Sequence, residues 1–164
     1  MKTRSTLFIP FLTAVALIGQ AAWAADTDVV RYSKKAAFSD VRDDLVIAIQ
    51  KKGLVIDHTS HIHKMLERTK KDIGAKMTVY QEGQSFSFCS ALLSRKTMEA
   101  DPHNMAFCPY SVVVYTTAAD PKTVHVAYRR PVRPDGSAAS KASLKDVENL
   151  LDGIARDALG MKKK

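Results

Sequence analysis

Along this chain the hydrophobic positions switch between the two-residue period of a strand and the three-to-four-residue period of a helix, with glycine, proline and polar clusters at the changes. Residues 29–35 read as a short strand. Ser39 then stands where a helix N-cap is expected, with Val41, Leu45, Ala48 and Ile49 on one stripe after it and Gly53 where such a helix ends. Residues 54–58 follow as a buried strand, 64–73 as a polar helix closed by Gly74, and 78–80 as the start of a strand or the approach to one across a Glu82-Gly83 turn. Phe86 and Phe88 alternate with Ser85, Ser87 and Cys89, the pattern of a half-buried strand. Residues 92–100 predict a short helix stopped at Asp101, because Pro102 disfavours helical geometry in the residue before it.

The strongest strand signal is 107–116, rich in Val and Tyr, and an Asp120-Pro121-Lys122 turn joins it to 123–129 as a hairpin. Val124, Val126 and Tyr128 face one way on that second strand. After a loop over 130–140, with Pro131, Pro134 and Gly136, the residues Leu144, Val147, Leu151, Ile154 and Ala158 mark an amphipathic closing helix. The order predicts an α+β fold, β-α-β(4)-α, with a mostly antiparallel sheet and helices packed on one face.

The first residues change the picture by supplying an address. Lys2 and Arg4 precede an apolar run over 7–18, broken by Pro10 and Thr13, and Ala22-Trp23-Ala24 offers small residues around a cut site. The run falls short of the roughly 20 residues a membrane span needs, so residues 1–24 are expected to be a signal peptide cleaved after Ala24. No transmembrane anchor is predicted, and no cysteine follows the cut to take a lipid. Residues 25–164 are then expected to form a single periplasmic domain, 140 residues long, enough for a core without a metal staple.

Loss of Lys2 and Arg4 lowers the formal net charge from +8 to +6. The remaining basic residues are dispersed, which argues against nucleic acid as a partner and leaves docking on an acidic protein or on lipid headgroups as one function class. His-Glu-x-x-His, Gly-x-Ser-x-Gly and glycine-rich phosphate loops are absent, so no hydrolase or nucleotide enzyme is indicated.

Two cysteines remain, Cys89 at the end of one predicted strand and Cys108 near the start of the next long one, with eighteen residues between them. If those strands are antiparallel neighbours, both sulfurs lie at one end of the sheet; a parallel pair would put them beyond the roughly 7 Å Cα separation a disulfide allows. Their uses divide into a structural disulfide, a reversible dithiol, a pair of thiolate ligands, and two unpaired thiols. No Cys-x-x-Cys motif is present.

A second cluster runs from His58 to Met65. On an extended chain His61, His63 and Met65 project to one side, a ligand set that suits copper or haem iron; on a helix His61 and Met65 still share a face while His63 turns away. Asp101-Pro102-His103-Asn104 reads as a helix stop with polar turn residues, and Arg68 and Arg95 are candidate anion contacts.

Phe88-Cys89-Ser90-Ala91, a helix ending Glu99-Ala100-Asp101-Pro102, and Phe107-Cys108-Pro109-Tyr110 leading into Val112-Val113-Val114-Tyr115 together resemble the exported members of the bacterial family called domain of unknown function 302. Gly53-Leu54-Val55-Ile56 and Met65-Leu66-Glu67-Arg68-Thr69 extend the likeness, which spans about residues 30–131. The resemblance implies a β-α-β-β-β-β-α domain, often a homodimer, and implies no particular reaction. The functional expectation is therefore a small periplasmic binding or accessory domain, not an enzyme, gathering Cys89, Cys108, His61, His63 and Met65 at a sheet edge to hold a metal, haem or other small ligand. A thiol/disulfide redox or sulfur-carrier protein using Cys89 and Cys108 is the alternative, and a basic interaction module the second alternative.

Overall fold

A computed structural model describes residues 28–162. The expected signal peptide, residues 1–24, lies outside them. In chain order the elements are β1 (Val29–Lys35), α1 (Phe38–Lys51), β2 (Ile56–Ser60), α2 (Ile62–Thr69), β3 (Tyr80–Phe88), α3 (Ala91–Ala100), a 3₁₀ turn (Pro102–Phe107), β4 (Tyr110–Thr117), β5 (Thr123–Arg129) and α4 (Ala138–Ala158). The strands form one sheet in the order β1-β5-β4-β3-β2, every adjacent pair antiparallel, which is the α+β architecture expected.

Alternation along the strands divides the sheet into two faces. Phe86 and Phe88 of β3, Tyr110, Val112 and Val114 of β4, and Val124, Val126 and Tyr128 of β5 are buried on the inner face. Against them lie the stripe of α1 (Val41, Leu45, Ala48, Ile49) and that of α4 (Leu144, Val147, Leu151, Ile154, Ala158), the residues marked by helical spacing. Each fully buried Val, Leu, Ile or Phe side chain of this layer contributes about 1.5–3 kcal/mol, so the layer is the main source of stability. Because β1 and β2 are opposite edges of the sheet, the β1–β2 connection spans its width, and α1 does this while packing on α4.

Four local expectations are corrected. The N-cap position of α1 is Ala37, without a side-chain cap bond, and Ser39 lies inside the first turn with its hydroxyl on Asp40; Phe38 packs on the core and draws the helix start forward. β2 is an edge strand, not a buried one: Asp57 and His58 are exposed and its pairing with β3 has a bulge between Ile56 and His58. No turn forms at Glu82-Gly83, because β3 runs through it with a bulge between Tyr80 and Glu82. The helix expected over 64–73 is α2, which both starts earlier, at Ile62, and ends earlier, at Thr69, with a turn carrying the chain on to Gly74. While α1 and α4 cover the inner face, α2 lies against β3, and Ile62 lines a cleft together with outer-face positions such as Gly83 and Val113.

Candidate functional site

The antiparallel register of β3 with β4 pairs Phe88 with Tyr110, so the residue leaving β3 and the residues entering β4 share one end of the sheet. Cys89 follows Phe88 directly. Ser90 caps α3 by accepting the Leu93 N–H at 3.4 Å, which turns the chain away from the sheet, and the 3₁₀ turn brings it back to Cys108. The two sulfurs end up 2.9 Å apart as free thiols, Cys89 exposed and Cys108 half-buried. Ser94 on α3 backs the pair, its hydroxyl 3.6 Å from the Cys108 sulfur and donating to the Tyr110 hydroxyl at 3.3 Å. The Cys108–Pro109 peptide is cis.

The electrostatics of Cys89 oppose ionisation. Desolvation is the largest cause, although the residue as a whole is exposed; the hydrogen bond with Cys108, the negative charge Cys108 would carry and the Asp57 carboxylate add to it, and the thiol is pushed up to about 11. At neutral pH the thiolate fraction is then on the order of 10⁻⁴. Activated cysteines sit beside cations or helix N-termini that lower the pKa. Cys89 directly precedes Ser90, the N-cap of α3, yet burial outweighs that position and the charges acting on the sulfur, those of Cys108 and Asp57, are anionic.

The other predicted residues are elsewhere. β2 pairs Ile56 with Phe88 at its start and Ser60 with Ser85 at its end, which carries His61 to the opposite end of the strand from Cys89. Three residues along β3 separate the two levels, roughly 10 Å. His61 is exposed at the N-cap position of α2, and Met65 is exposed one turn on. His63 is largely buried, and both ring nitrogens have protein partners: Nδ1 lies 3.1 Å from the Gly83 nitrogen and 2.9 Å from its carbonyl oxygen, and Nε2 lies 3.2 Å from the Glu82 carboxylate. A neutral ring protonated on Nε2 accepts the Gly83 N–H and donates to Glu82; a charged ring donates to the Gly83 carbonyl and to Glu82. The structure thus brings Cys89 and Cys108 together and leaves His61, His63 and Met65 apart from them. Among the described residues, no three His, Cys, Asp or Glu side chains converge as a metal site. Arg95 pairs with Glu99 one turn along α3 at 2.7 Å, on an exposed surface far in sequence from Arg68, which is exposed on α2.

Two polar clusters escaped the sequence reading. Asn104, 1% exposed, donates to the Thr97 carbonyl and to the Ser140 hydroxyl, both at 2.9 Å, and its Oδ1 lies 3.1 Å from that hydroxyl. This clamps the 3₁₀ turn, and with it Cys108, between α3 and α4. Asp101 strengthens the turn by accepting the His103 N–H and pairing with Arg133 at 2.5 Å. The Asp101-Pro102 pair that signals a helix stop is equally an N-cap followed by a first-turn proline, and that was the available clue.

The second cluster joins β1 and β5 to α4. Tyr32 and Tyr128 donate to Asp152 at 2.5 and 3.2 Å, Arg156 donates to Asp152 at 2.7 Å and to the Tyr32 hydroxyl at 2.8 Å, and the guanidinium lies 4.6 Å from the Tyr32 ring centroid. Burial alone would raise the Asp152 pKa. The hydrogen bonds from Tyr32, Arg156 and Tyr128 and the Arg156 charge outweigh it and hold the carboxyl below its ordinary value. Each member is satisfied by another, so the cluster reads as a tie between sheet and helix.

Comparison with known proteins agrees with this fold. The pattern of the family described as Domain of unknown function DUF302 matches residues 29–158. The chain belongs to that family. A solved structure described as an uncharacterized conserved protein DUF302 from Bacillus stearothermophilus aligns with a TM-score of 0.66 at 13% identity, over 80% of this chain and 98% of that one. At that identity the likeness shows a shared fold. No curated protein matches the chain. For this DUF302 chain the site must therefore be read from its own residues.

Proposed function

We propose that this DUF302 chain is an exported accessory domain, not an enzyme, and that Cys89 and Cys108 act in it as a thiol/disulfide couple. The observation that carries the reading is the contact of two free sulfurs at one end of the sheet, 2.9 Å apart, with one of them exposed. Closure proceeds by exchange with a disulfide-bearing oxidant, protein or small molecule. The Cys89 thiolate attacks that disulfide, forming a mixed disulfide and releasing one thiol; Cys108 then attacks the Cys89 sulfur and releases the second. Net, a dithiol and a disulfide exchange states, with no other reagent.

The raised pKa of Cys89 makes the first step slow at neutral pH and makes its thiolate a poor leaving group once the bond has formed. Both consequences suit a bond set once on export better than a catalyst that turns over. A soft metal ion such as copper held between the same two sulfurs is the competing use of the pair.

Thiol counting by alkylation and mass spectrometry on the purified protein, across glutathione buffers with and without a copper chelator, separates these. Closure predicts two alkylated cysteines under strong reductant and none near an oxidising poise of roughly −180 mV, with one two-electron transition. Two thiols still free in the oxidising buffer would refute the couple, and protection that the chelator abolishes would replace it with metal binding.

A further inference from the structure

The face of the sheet turned away from α1 and α4 has a chemistry of its own. Its positions fall in rows across the strands: Arg31 opposite Ala127, Ala127 opposite Val113, Val113 opposite Ser85; and, one step along, Ser33 opposite His125, His125 opposite Tyr115, Tyr115 opposite Gly83. Small residues make the floor. Over it α2 forms a wall, fixed in place because His63 engages the Gly83 backbone and Glu82. Between wall and floor lies a mostly apolar cleft of about 220 Å³, bounded by Ile62, Tyr80, Gly83, Val113, Tyr115 and Ala127. Its aromatic side is a packed row: Tyr115 meets the Tyr80 ring edge-on at 5.4 Å and stacks on His125 at 5.0 Å, and the Ser33 hydroxyl hydrogen-bonds His125 at 2.7 Å.

Beyond Val29 and Tyr115 the cleft opens into a second hollow lined by Arg31 and by Arg130, which is paired with Glu148. Arg31 and Arg129 are diagonal neighbours on this face of the sheet, since β1 and β5 pair Val29 with Arg129 and Arg31 with Ala127, placing their backbones roughly 7–8 Å apart. Both are exposed, and among the described residues neither guanidinium has an ion pair or a side-chain hydrogen bond, whereas most other arginines of the chain do.

We propose that this outer face binds a small amphipathic carboxylate, with its apolar body in the cleft between α2 and β4 and its carboxylate on Arg31 and Arg129. The volume lies below the roughly 300–1,000 Å³ of sites for drug-sized molecules, so the body is a short alkyl chain or a single ring and not a macrocycle such as haem. A planar guanidinium fork matches a carboxylate. A second copy of this chain is disfavoured as the occupant, because a twofold pairing of this face would set the arginines of one copy against those of the other.

The test uses the purified chain with octanoate, acetate, octylamine and inorganic phosphate as probes, followed by calorimetry and by backbone amide shifts. Octanoate is expected to bind at least tenfold more tightly than the other three, to weaken with added salt, and to shift the amides of Val113, Tyr115 and Ala127. A variant carrying Arg31→Gln and Arg129→Gln, two exposed side chains whose loss leaves the core intact, is expected to weaken octanoate about tenfold. Three results overturn the proposal: octanoate binding no better than acetate or phosphate, octylamine binding as well as octanoate, or an unchanged affinity in the double variant. Binding to vesicles of anionic lipid by a chain that ignores octanoate would also overturn it, and would assign the arginines to a membrane surface. None of these outcomes depends on the redox state of the cysteines, so this proposal and the thiol couple stand or fall separately.

Discussion

Replacing Asn104 with alanine tests whether a buried amide holds the thiol pair together. The side chain makes hydrogen bonds to the Thr97 carbonyl and the Ser140 hydroxyl inside a space closed to solvent, Thr97 and Ser140 being 2% and 0% exposed. After truncation the Thr97 carbonyl keeps the Asp101 N–H at 3.1 Å, so it is not orphaned. The Ser140 hydroxyl loses the partner it has in Asn104, and an unsatisfied buried polar group costs about 1–3 kcal/mol. Adding about 1 kcal/mol for the lost bond to Thr97 and a comparable amount for the void gives a total of about 3–5 kcal/mol. With a urea m-value of about 1–3 kcal/mol/M for a small domain, the midpoint should fall by at least 1 M at unchanged slope. Adding Ser140→Ala removes the orphan, so the double variant should be less destabilised than the sum of the two singles, by about 1 kcal/mol. Because the 3₁₀ turn presents Cys108, the same substitution should make a disulfide formed between Cys89 and Cys108 easier to reduce. A loss below about 0.5 kcal/mol, or strict additivity with Ser140→Ala, would show that the cluster is not the clamp described.

Closing the eighteen-residue connection between Cys89 and Cys108 should stabilise the oxidised protein over a Cys89→Ala, Cys108→Ala variant by about 3 kcal/mol; equal melting temperatures for the two would contradict this, while far-UV circular dichroism should show the fold retained. The raised thiol pKa of Cys89 means that the reduced fold favours the neutral form: its contribution is complete below the unfolded thiol value near 8.5–9 and is lost as pH rises toward about 11. Urea midpoints of reduced wild type should therefore fall more steeply over that alkaline window than those of Cys89→Ala. Asp152 is shifted the other way, so its contribution is present above the ordinary carboxylate pKa and disappears as pH falls through its lowered folded value. Asp152→Asn should flatten that acid limb of the stability curve, and an identical acid limb in wild type and variant would remove Asp152 from the account.

β1 and β5 follow the residues with alternating character to their ends, and the stripes of α1 and α4 are the apolar positions that helical spacing marks, because burial of one face is a local, periodic demand on the sequence. Placement of both cysteines at one end of the sheet was also legible, since it needs only that two neighbouring strands run antiparallel. Strand order, bulges and edges are not local. The polar run Asp57 to Ser60 is an edge because α1 spans the sheet to reach it, and β3 absorbs Glu82-Gly83 because β4 pairs along its length. That same order carries His61 away from Cys89, buries Asn104 between two helices, ties Tyr32 to Asp152 across 120 residues and sets Arg31 beside Arg129. By itself the sequence determined which residues face a core and which two strand ends meet. Only the tertiary structure decided which polar groups share a site, because such pairs are joined by register between distant strands and by helix packing, and neither leaves a period in the chain.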